Sequence, residues 1–246
     1  MRSVTEQVTA THTETFTIRA NEINTDGVAT LPAICALFQE VAGNHALTLN
    51  FDISQLLSQG ITWVLYKLDI SMVRYPIWRE TITIETWPHS GDGFRAYRNF
   101  VIRNEHGEEI GHCLSYWLMM DIHTRRPVRL PAEVMDMKFD KRPYVKTIKR
   151  EQIKSRKSLE PSHSFHVRQS DLDMNNHVNN VAYVGWMLES LEPNTLVSSA
   201  EIQYMRESKQ GDNIDLSVQQ DGENTLFVQL SAQEGVTVAL GNFTLG

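Results

Sequence analysis

FHVRQSDLDMNNHVNNVAYVGWMLESL, residues 165–191, runs from an extended segment through a polar cluster into a helix. Asp173, Asn175 and His177 stand at alternate positions in this cluster. The apolar residues that follow recur with helical spacing at Val181, Val184, Met187, Leu188 and Leu191. The sequence therefore places an acid, an amide and an imidazole where a helix begins.

The start of this helix could also supply hydrogen-bond donors. Asn179 or Asn180 is the expected N-cap, and the first N–H groups of a helix have no acceptor within it. We therefore expect the backbone N–H of Val178 or Asn179 to polarise a carbonyl or to hold an oxyanion. The alternative interpretation is structural, because Asp and Asn before a helix are usually capping and turn residues, and a single His usually lies at the surface or in the core.

Length and composition are those of a globular chain with one large domain or two small ones. The 246 residues are 41% hydrophobic and 22% charged, and the formal net charge of −7 argues against a general nucleic-acid binder. Two cysteines, Cys35 and Cys113, are too few for a disulfide framework or a zinc site, and they suggest a reducing compartment. No apolar run is long enough to span a membrane. The first residues lack the features of a signal or transit peptide, so we expect a cytoplasmic protein.

The first half of the chain predicts a strand, a long helix and then several strands. Alternation over residues 13–19 predicts a strand, and helical periodicity over residues 29–49 predicts a helix with Pro32 near its first turn. Four further strands are expected at residues 62–71, 81–87, 94–103 and 109–120, with a hairpin turn at residues 104–107.

The second half repeats this order of elements. An offset of 149 positions brings Phe16 onto Phe165, and an offset of 132 brings Ile82 onto Ile214. One central helix wrapped by an antiparallel sheet is the arrangement called a hotdog. We therefore predict an α+β fold of two tandem hotdog half-domains, each a long central helix wrapped by a curved antiparallel sheet, with strands of both halves joined in one sheet.

The two halves differ at the polar cluster. The offset of 149 aligns the cluster with three residues that include no imidazole: Asn24, Asp26 and Val28. A purely structural turn would be expected in both halves, whereas this asymmetry is typical of a duplication in which one copy kept the chemistry. The predicted units are residues 1–137, a half that shapes the substrate, residues 138–160, a connector, and residues 161–246, the catalytic half.

The connector is strongly basic. Residues 138–157 hold nine Lys or Arg side chains and two acids, a local charge of +7. The segment is either a solvated crossover between the halves or an electrostatic dock for an acidic protein or for phosphate groups. The cations assigned to such a dock are Lys138, Lys141, Arg142, Lys146, Lys149 and Arg150.

Residues 170–190, SDLDMNNHVNNVAYVGWMLES, closely resemble the signature of the acyl-acyl-carrier-protein (acyl-ACP) thioesterases. The first half is similar to the same family over residues 73–88, 94–104 and 116–134. The resemblance implies the tandem hotdog fold and hydrolysis of fatty acyl-ACP to free fatty acid and holo-ACP. The partner would be an acyl carrier protein with a phosphopantetheine-linked acyl chain, and apolar residues of the first half would line the acyl tunnel. No cofactor, metal ion or nucleic acid is expected, and a homodimer is left open.

The resemblance also assigns the catalytic set. The family's Asp-x-Asn-x-His falls on Asp173, Asn175 and His177, and its later glutamate falls on Glu207 within YMRES. Plant members have a cysteine after this glutamate, where the present chain has Ser208. A covalent thiol mechanism is therefore not expected. We predict that Glu207 and His177 activate a water molecule, with Ser208 as a nucleophile being the weaker alternative.

Other functions of the same fold stay open at this point. A hotdog protein can also be an acyl-CoA thioesterase, a dehydratase or a non-catalytic acyl-binding protein. Turnover of matched acyl-ACP and acyl-CoA substrates would separate the two thioesterases. The complete Asp-Asn-His-Glu set favours an enzyme over a binding protein.

Overall fold

A computed structural model describes residues 11–89, 91–135, 142–157 and 159–246. The first half contains β1 (His12–Thr17), α1 (Leu31–Thr48), α2 (Ile53–Leu57), β2 (Ile61–Met72), β3 (Thr81–His89), β4 (Arg95–Asn104), β5 (Glu109–Asp121), β6 (Pro127–Val128) and α3 (Ala132–Met135). The second half contains β7 (His163–His166), α4 (Asn180–Leu188), β8 (Val197–Tyr204), β9 (Asn213–Gly222), β10 (Thr225–Ser231) and β11 (Thr237–Leu245). The first predicted helix and the predicted strands agree with these bounds to within two residues.

All the strands belong to one antiparallel sheet. Its order is β1-β3-β4-β5-β2-β8-β11-β10-β9-β7, with β6 paired to β5. The second half thus mirrors the first, and β2 and β8 meet at the centre. Asp69 of β2 lies opposite Glu201 of β8, and the two are equivalent by the offset of 132. A pseudo-two-fold axis therefore passes between them, and the predicted tandem hotdog is confirmed.

The strand register agrees with both offsets in the sequence. Phe16 of β1 lies opposite Ile82 of β3, and Phe165 of β7 lies opposite Ile214 of β9. Adding 149 to the number of Phe16 gives Phe165, and adding 132 to the number of Ile82 gives Ile214. The repeat is therefore a property of the fold as well as of the sequence.

α1 and α4 pack against each other and against the inner face of the sheet. Thr30 is the N-cap of α1, and its side chain accepts the N–H of Ala33; the buried face of α1 includes Ile34 and Phe38. α4 has nine residues and is shorter than the long helix that was predicted. Pro193 follows closely, and a proline disfavours helical backbone before it, which limits how far the helix can extend.

The described part of the connector lies on the outer face of the sheet. Leu68 and Ile70 of β2 point into the core, so the alternating Lys67 and Asp69 point outward. Four connector N–H groups donate to outward side chains of four different strands. The N–H of Val145 donates to Asn99, and that of Lys149 donates to Tyr116. The N–H of Ile153 donates to Gln203, and that of Arg156 donates to Gln229. The connector is thus bound to the sheet along its length.

Neither a membrane span nor a metal cluster is found in the ranges given above. None of their helices combines the length and the apolar character needed to cross a bilayer. In those same ranges, His, Cys, Asp and Glu side chains do not gather in threes in a way that could hold a metal ion.

Candidate active site

The segment before α4 is a tight turn held by Asp173. Its Oδ1 atom accepts the N–H of Asn175 at 2.8 Å and that of His177 at 3.3 Å, while its own N–H donates to the His177 carbonyl at 2.8 Å. Asn176 completes the turn at φ 61, a left-handed conformation that asparagine tolerates better than most residues. The local sequence thereby fixes the backbone of His177 relative to the start of α4.

Glu207 lies in the segment that follows β8. Tyr183, buried in α4, holds this segment through its hydroxyl group, which accepts the N–H of Ser208 at 2.9 Å and donates to the Arg206 carbonyl at 3.4 Å. Burial raises the pKa of the Tyr183 phenol, which keeps it neutral as a hydrogen-bonding group. The helix that follows the turn thus also fixes the segment that carries Glu207.

The structure brings His177 and Glu207 together. The Nε2 atom of His177 lies 3.3 Å from Oε2 of Glu207, and the two side chains are 25% and 34% exposed. Both are therefore close enough to contact one water molecule, and water can reach them. An imidazole and a carboxylate in this arrangement can act together as a general base.

Arg125 also contacts Glu207, and sequence reasoning missed it. Its Nη2 atom donates to the same Oε2 atom that lies near His177. Arg125 lies between β5 and β6 of the first half, inside the segment that resembles the thioesterase family. Neither spacing nor the repeat could have identified it, because the contact joins residues 82 positions apart.

The predicted backbone oxyanion donors are wrong. The N–H of Val178 donates to the Ser208 carbonyl at 2.9 Å, and that of Asn179 donates to the Asp171 carbonyl at 2.8 Å. Both residues precede the helix, where the chain is still extended, so their N–H groups bond to neighbouring segments. The N-cap prediction is confirmed for Asn179, whose side chain accepts the N–H of Val181.

Asn175 and Ser208 have contrasting environments. Asn175 is exposed, and among the described residues its Nδ2 atom makes one contact, a long one of 3.4 Å with Asp173. Ser208 is buried, and among the described residues its hydroxyl has no hydrogen bond to His177. Asn175 can therefore turn towards a substrate, whereas Ser208 is not oriented as a nucleophile.

A narrow cavity lies next to the site, between α1, α4 and the sheet. It is lined by Cys35 and Phe38 of α1, by Asn180 and Val181 at the start of α4, and by residues of the strands. Its volume is about 20 Å³, room for about one water molecule. This cavity is thus too narrow for an acyl chain, which could enter between these side chains only if they move apart. Burial raises the pKa of the Cys35 thiol to about 12, so it is not a nucleophile.

Three of the six connector cations assigned to docking form ion pairs within the chain. Lys146 lies 2.5 Å from Asp69, Lys149 lies 3.0 Å from both Asp69 and Glu201, and Arg142 lies 2.9 Å from Glu85. Arg150 is exposed. The remaining two, Lys138 and Lys141, fall outside the described residues. Three of the six assigned cations thus form ion pairs with acids on the sheet, and docking at the connector stays a prediction.

Comparisons with known proteins agree with this fold along the chain. The family model for the acyl-ACP thioesterase N-terminal domain matches residues 9–137, and that for the C-terminal domain matches residues 154–241. Oleoyl-acyl carrier protein thioesterase 2 of Arabidopsis thaliana is 30% identical, and the match covers 92% of this chain and 67% of the relative. The corresponding thioesterase of Coriandrum sativum is 31% identical over the same shares.

Solved structures of acyl-ACP thioesterases have the same fold as this chain. The 12:0-ACP thioesterase of Umbellularia californica superposes with a TM-score of 0.85 at 25% identity, over 97% of this chain and 98% of the other. An acyl-ACP thioesterase from Bacteroides thetaiotaomicron shares the fold with a TM-score of 0.87 at 24% identity, over 96% and 98%. Because both family models match, in order, one to each half of the repeat, the chain belongs to the acyl-ACP thioesterase family.

Proposed function

We propose that this chain hydrolyses the thioester of a fatty acyl-ACP to free fatty acid and holo-ACP, and that water activated by Glu207 and His177 makes the attack. The contact of 3.3 Å between the two side chains carries this proposal. Their partial exposure supports it, since water can reach the pair directly.

In this scheme a water molecule held by Glu207 and His177 loses a proton to the pair as its oxygen attacks the thioester carbon. Negative charge then develops on the carbonyl oxygen. The side-chain N–H of Asn175 is the proposed donor for that charge, because the N–H groups of Val178 and Asn179 are occupied. The intermediate collapses with loss of the phosphopantetheine thiolate, a good leaving group that needs no strong acid.

The roles are tested by turnover of acyl-ACP with three variants. Glu207→Gln keeps the size of the side chain but removes the base, so kcat should fall about 10²- to 10⁴-fold. Ser208→Ala should retain turnover, because activated water needs no hydroxyl nucleophile. Asp26→Ala, at the position of the first half equivalent to Asn175, is the matched control and should be unchanged. Near-normal turnover by Glu207→Gln would end this mechanism, and an equal loss in Ser208→Ala would favour a serine nucleophile.

The carrier is tested separately. With one acyl chain on ACP and on CoA, kcat/KM should be higher for the ACP substrate. A higher value on CoA would make the protein an acyl-CoA thioesterase. Binding of the acyl group without turnover would make it an acyl-binding protein.

Location and self-association stay predictions. The two plant relatives above are chloroplastic, whereas we propose a cytoplasmic location for this chain. Light scattering of the purified protein would show whether two chains form a homodimer.

A further inference from the structure

We infer that Arg125 is a positioning residue: it holds the Glu207 carboxylate beside His177, so that the first half-domain supplies part of the catalytic machinery of the second. This inference rests on the proposed roles of Glu207 and His177. It differs from a purely substrate-shaping role for the first half.

The contact pattern around Glu207 favours positioning. One carboxylate oxygen, Oε2, receives the guanidinium of Arg125 and lies 3.3 Å from Nε2 of His177. Among the described residues no hydrogen bond reaches the other oxygen, Oε1. Arg125 and His177 therefore approach Glu207 through one atom, which leaves Oε1 available to a water molecule.

The turn that carries Arg125 is held by Asp121 at the end of β5. The Oδ1 atom of Asp121 accepts the N–H of His123 at 2.9 Å and both the N–H and the hydroxyl of Thr124 at 2.7 and 3.0 Å. The bond from the Thr124 N–H is the largest influence that lowers the pKa of this carboxyl, which favours its charged, accepting form.

The backbone of Arg125 is fixed as well. Its N–H donates to the Asp121 carbonyl at 3.0 Å, and its φ of 57 lies in the left-handed region. The next residue returns the chain to the sheet, because the Arg126 carbonyl accepts the N–H of Asp121 at 3.0 Å. Arg125 is thus presented to the second half by a closed turn.

Stability does not account for this arrangement. The side chains of Arg125 and Glu207 are 51% and 34% exposed, and an ion pair at the surface contributes only about 0–1 kcal/mol. A free glutamate side chain samples several rotamers. The consequence of the contact is therefore geometric: it restricts Glu207 to the rotamer that meets His177, and a misplaced catalytic group can cost about 10²-fold in rate.

Arg126 offers a matched control. It is also exposed and carries the same charge one residue further along the chain, and no ion pair of its side chain is found among the described residues. If the charge of this turn served only to attract an acidic carrier protein, removing either arginine would have a similar effect. Positioning of Glu207 instead requires Arg125 alone.

The experiment compares Arg125→Ala, Arg125→Lys and Arg126→Ala on acyl-ACP and on an acyl-N-acetylcysteamine thioester, which lacks the carrier. We expect Arg125→Ala to lower kcat about 10- to 100-fold on both substrates with little change in KM. Arg125→Lys should recover part of the loss, and Arg126→Ala should keep the kcat of the unchanged protein. Thermal unfolding should be nearly the same for all.

A double variant separates this inference from the proposed function. Once Glu207→Gln has removed the charge that Arg125 contacts, adding Arg125→Ala should cost little further activity. A full additional loss would overturn the inference, as would a rise in KM confined to acyl-ACP and shared by Arg126→Ala, since both would indicate carrier docking. If Glu207→Gln alone retained activity, the proposed mechanism itself would fail, whatever Arg125 does.

Discussion

The turn before α1 and the turn before α4 have the same backbone and different chemistry. In the first half the Oδ1 atom of Asn24 accepts the N–H of Asp26 at 3.1 Å and that of Val28 at 3.0 Å. In the second half Asp173 accepts the equivalent two N–H groups at 2.8 and 3.3 Å. An amide and a carboxylate therefore perform one structural task.

The likeness extends to the bonds that tie each turn to its surroundings. The N–H of Ala29 donates to the Pro76 carbonyl at 2.8 Å, as that of Val178 does to Ser208 at 2.9 Å. The residue with positive φ is Gly27 in the first turn and an asparagine in the second. The whole turn is thus common to both halves, and its presence alone is no sign of catalysis.

Three of the side chains that differ between the halves concern the proposed base. The second half has His177, Glu207 and Tyr183 where the offsets place Val28, Tyr75 and Ile34 in the first. Two of them form the proposed base, and the third holds the segment that carries the glutamate. The comparison teaches that the two halves share the turn, and that the proposed site differs by side chains on the turn, on α4 and on the segment after β8.

The largest loss of activity should come from replacing His177 of the second turn by valine, the residue at the equivalent position, Val28, of the first turn. His177→Val leaves the backbone bonds of the turn in place but removes the imidazole, so kcat on acyl-ACP should fall about 10²- to 10⁴-fold while the melting temperature stays close to that of the unchanged protein. The reciprocal Val28→His should not restore turnover in that background, because the first half has Tyr75 in the place of the glutamate. Substantial activity in His177→Val would mean that the two turns do not differ in the way described.

A smaller effect is expected from Tyr183→Phe. The change removes the acceptor of the Ser208 N–H, and leaving a buried donor unpaired costs about 1–3 kcal/mol. Denaturant unfolding should show this loss. The kcat should fall as well, because the segment that carries Glu207 loses one of its restraints. Ile34→Val, at the equivalent position of α1, is the control: it should cost less stability and leave kcat unchanged. Equal losses of kcat would contradict the role assigned to Tyr183.

The smallest effects concern the residues that hold the two turns. Asn24→Ala and Asp173→Ala each remove an acceptor of two N–H groups and should lower the free energy of unfolding by about 1 kcal/mol. Asp173→Asn and Asn24→Asp keep an acceptor and should be nearly neutral. If only the Asp173 variants were destabilised, the two turns would not be structurally equivalent.

Much of the fold could be predicted because the repeat is visible in patterns of neighbouring residues. Apolar alternation and helical spacing depend on residues close in the chain, and Phe16, Phe165, Ile82 and Ile214 carry the register in their offsets. His177 and Glu207 were found through a resemblance that includes both. The oxyanion donors were predicted wrongly, because the bonds of Val178 and Asn179 depend on segments that only the folded chain brings near.

The connector shows the same limit. Its local charge of +7 can be counted in the sequence, but the acids that accept it, among them Asp69 and Glu201, lie far away on two central strands. A net charge says nothing about pairing, because ion pairs are decided by distances between atoms.

By itself, the sequence determined the duplicated architecture, the order of the elements and the side chains that can act on a thioester, since each depends on residue type and on spacing along the chain. The tertiary structure alone decided which backbone donors are occupied, how narrow the cavity is, and that Arg125 of one half contacts Glu207 of the other. Those features depend on atoms of different segments that meet only in the folded chain, and no pattern along the chain records such a meeting.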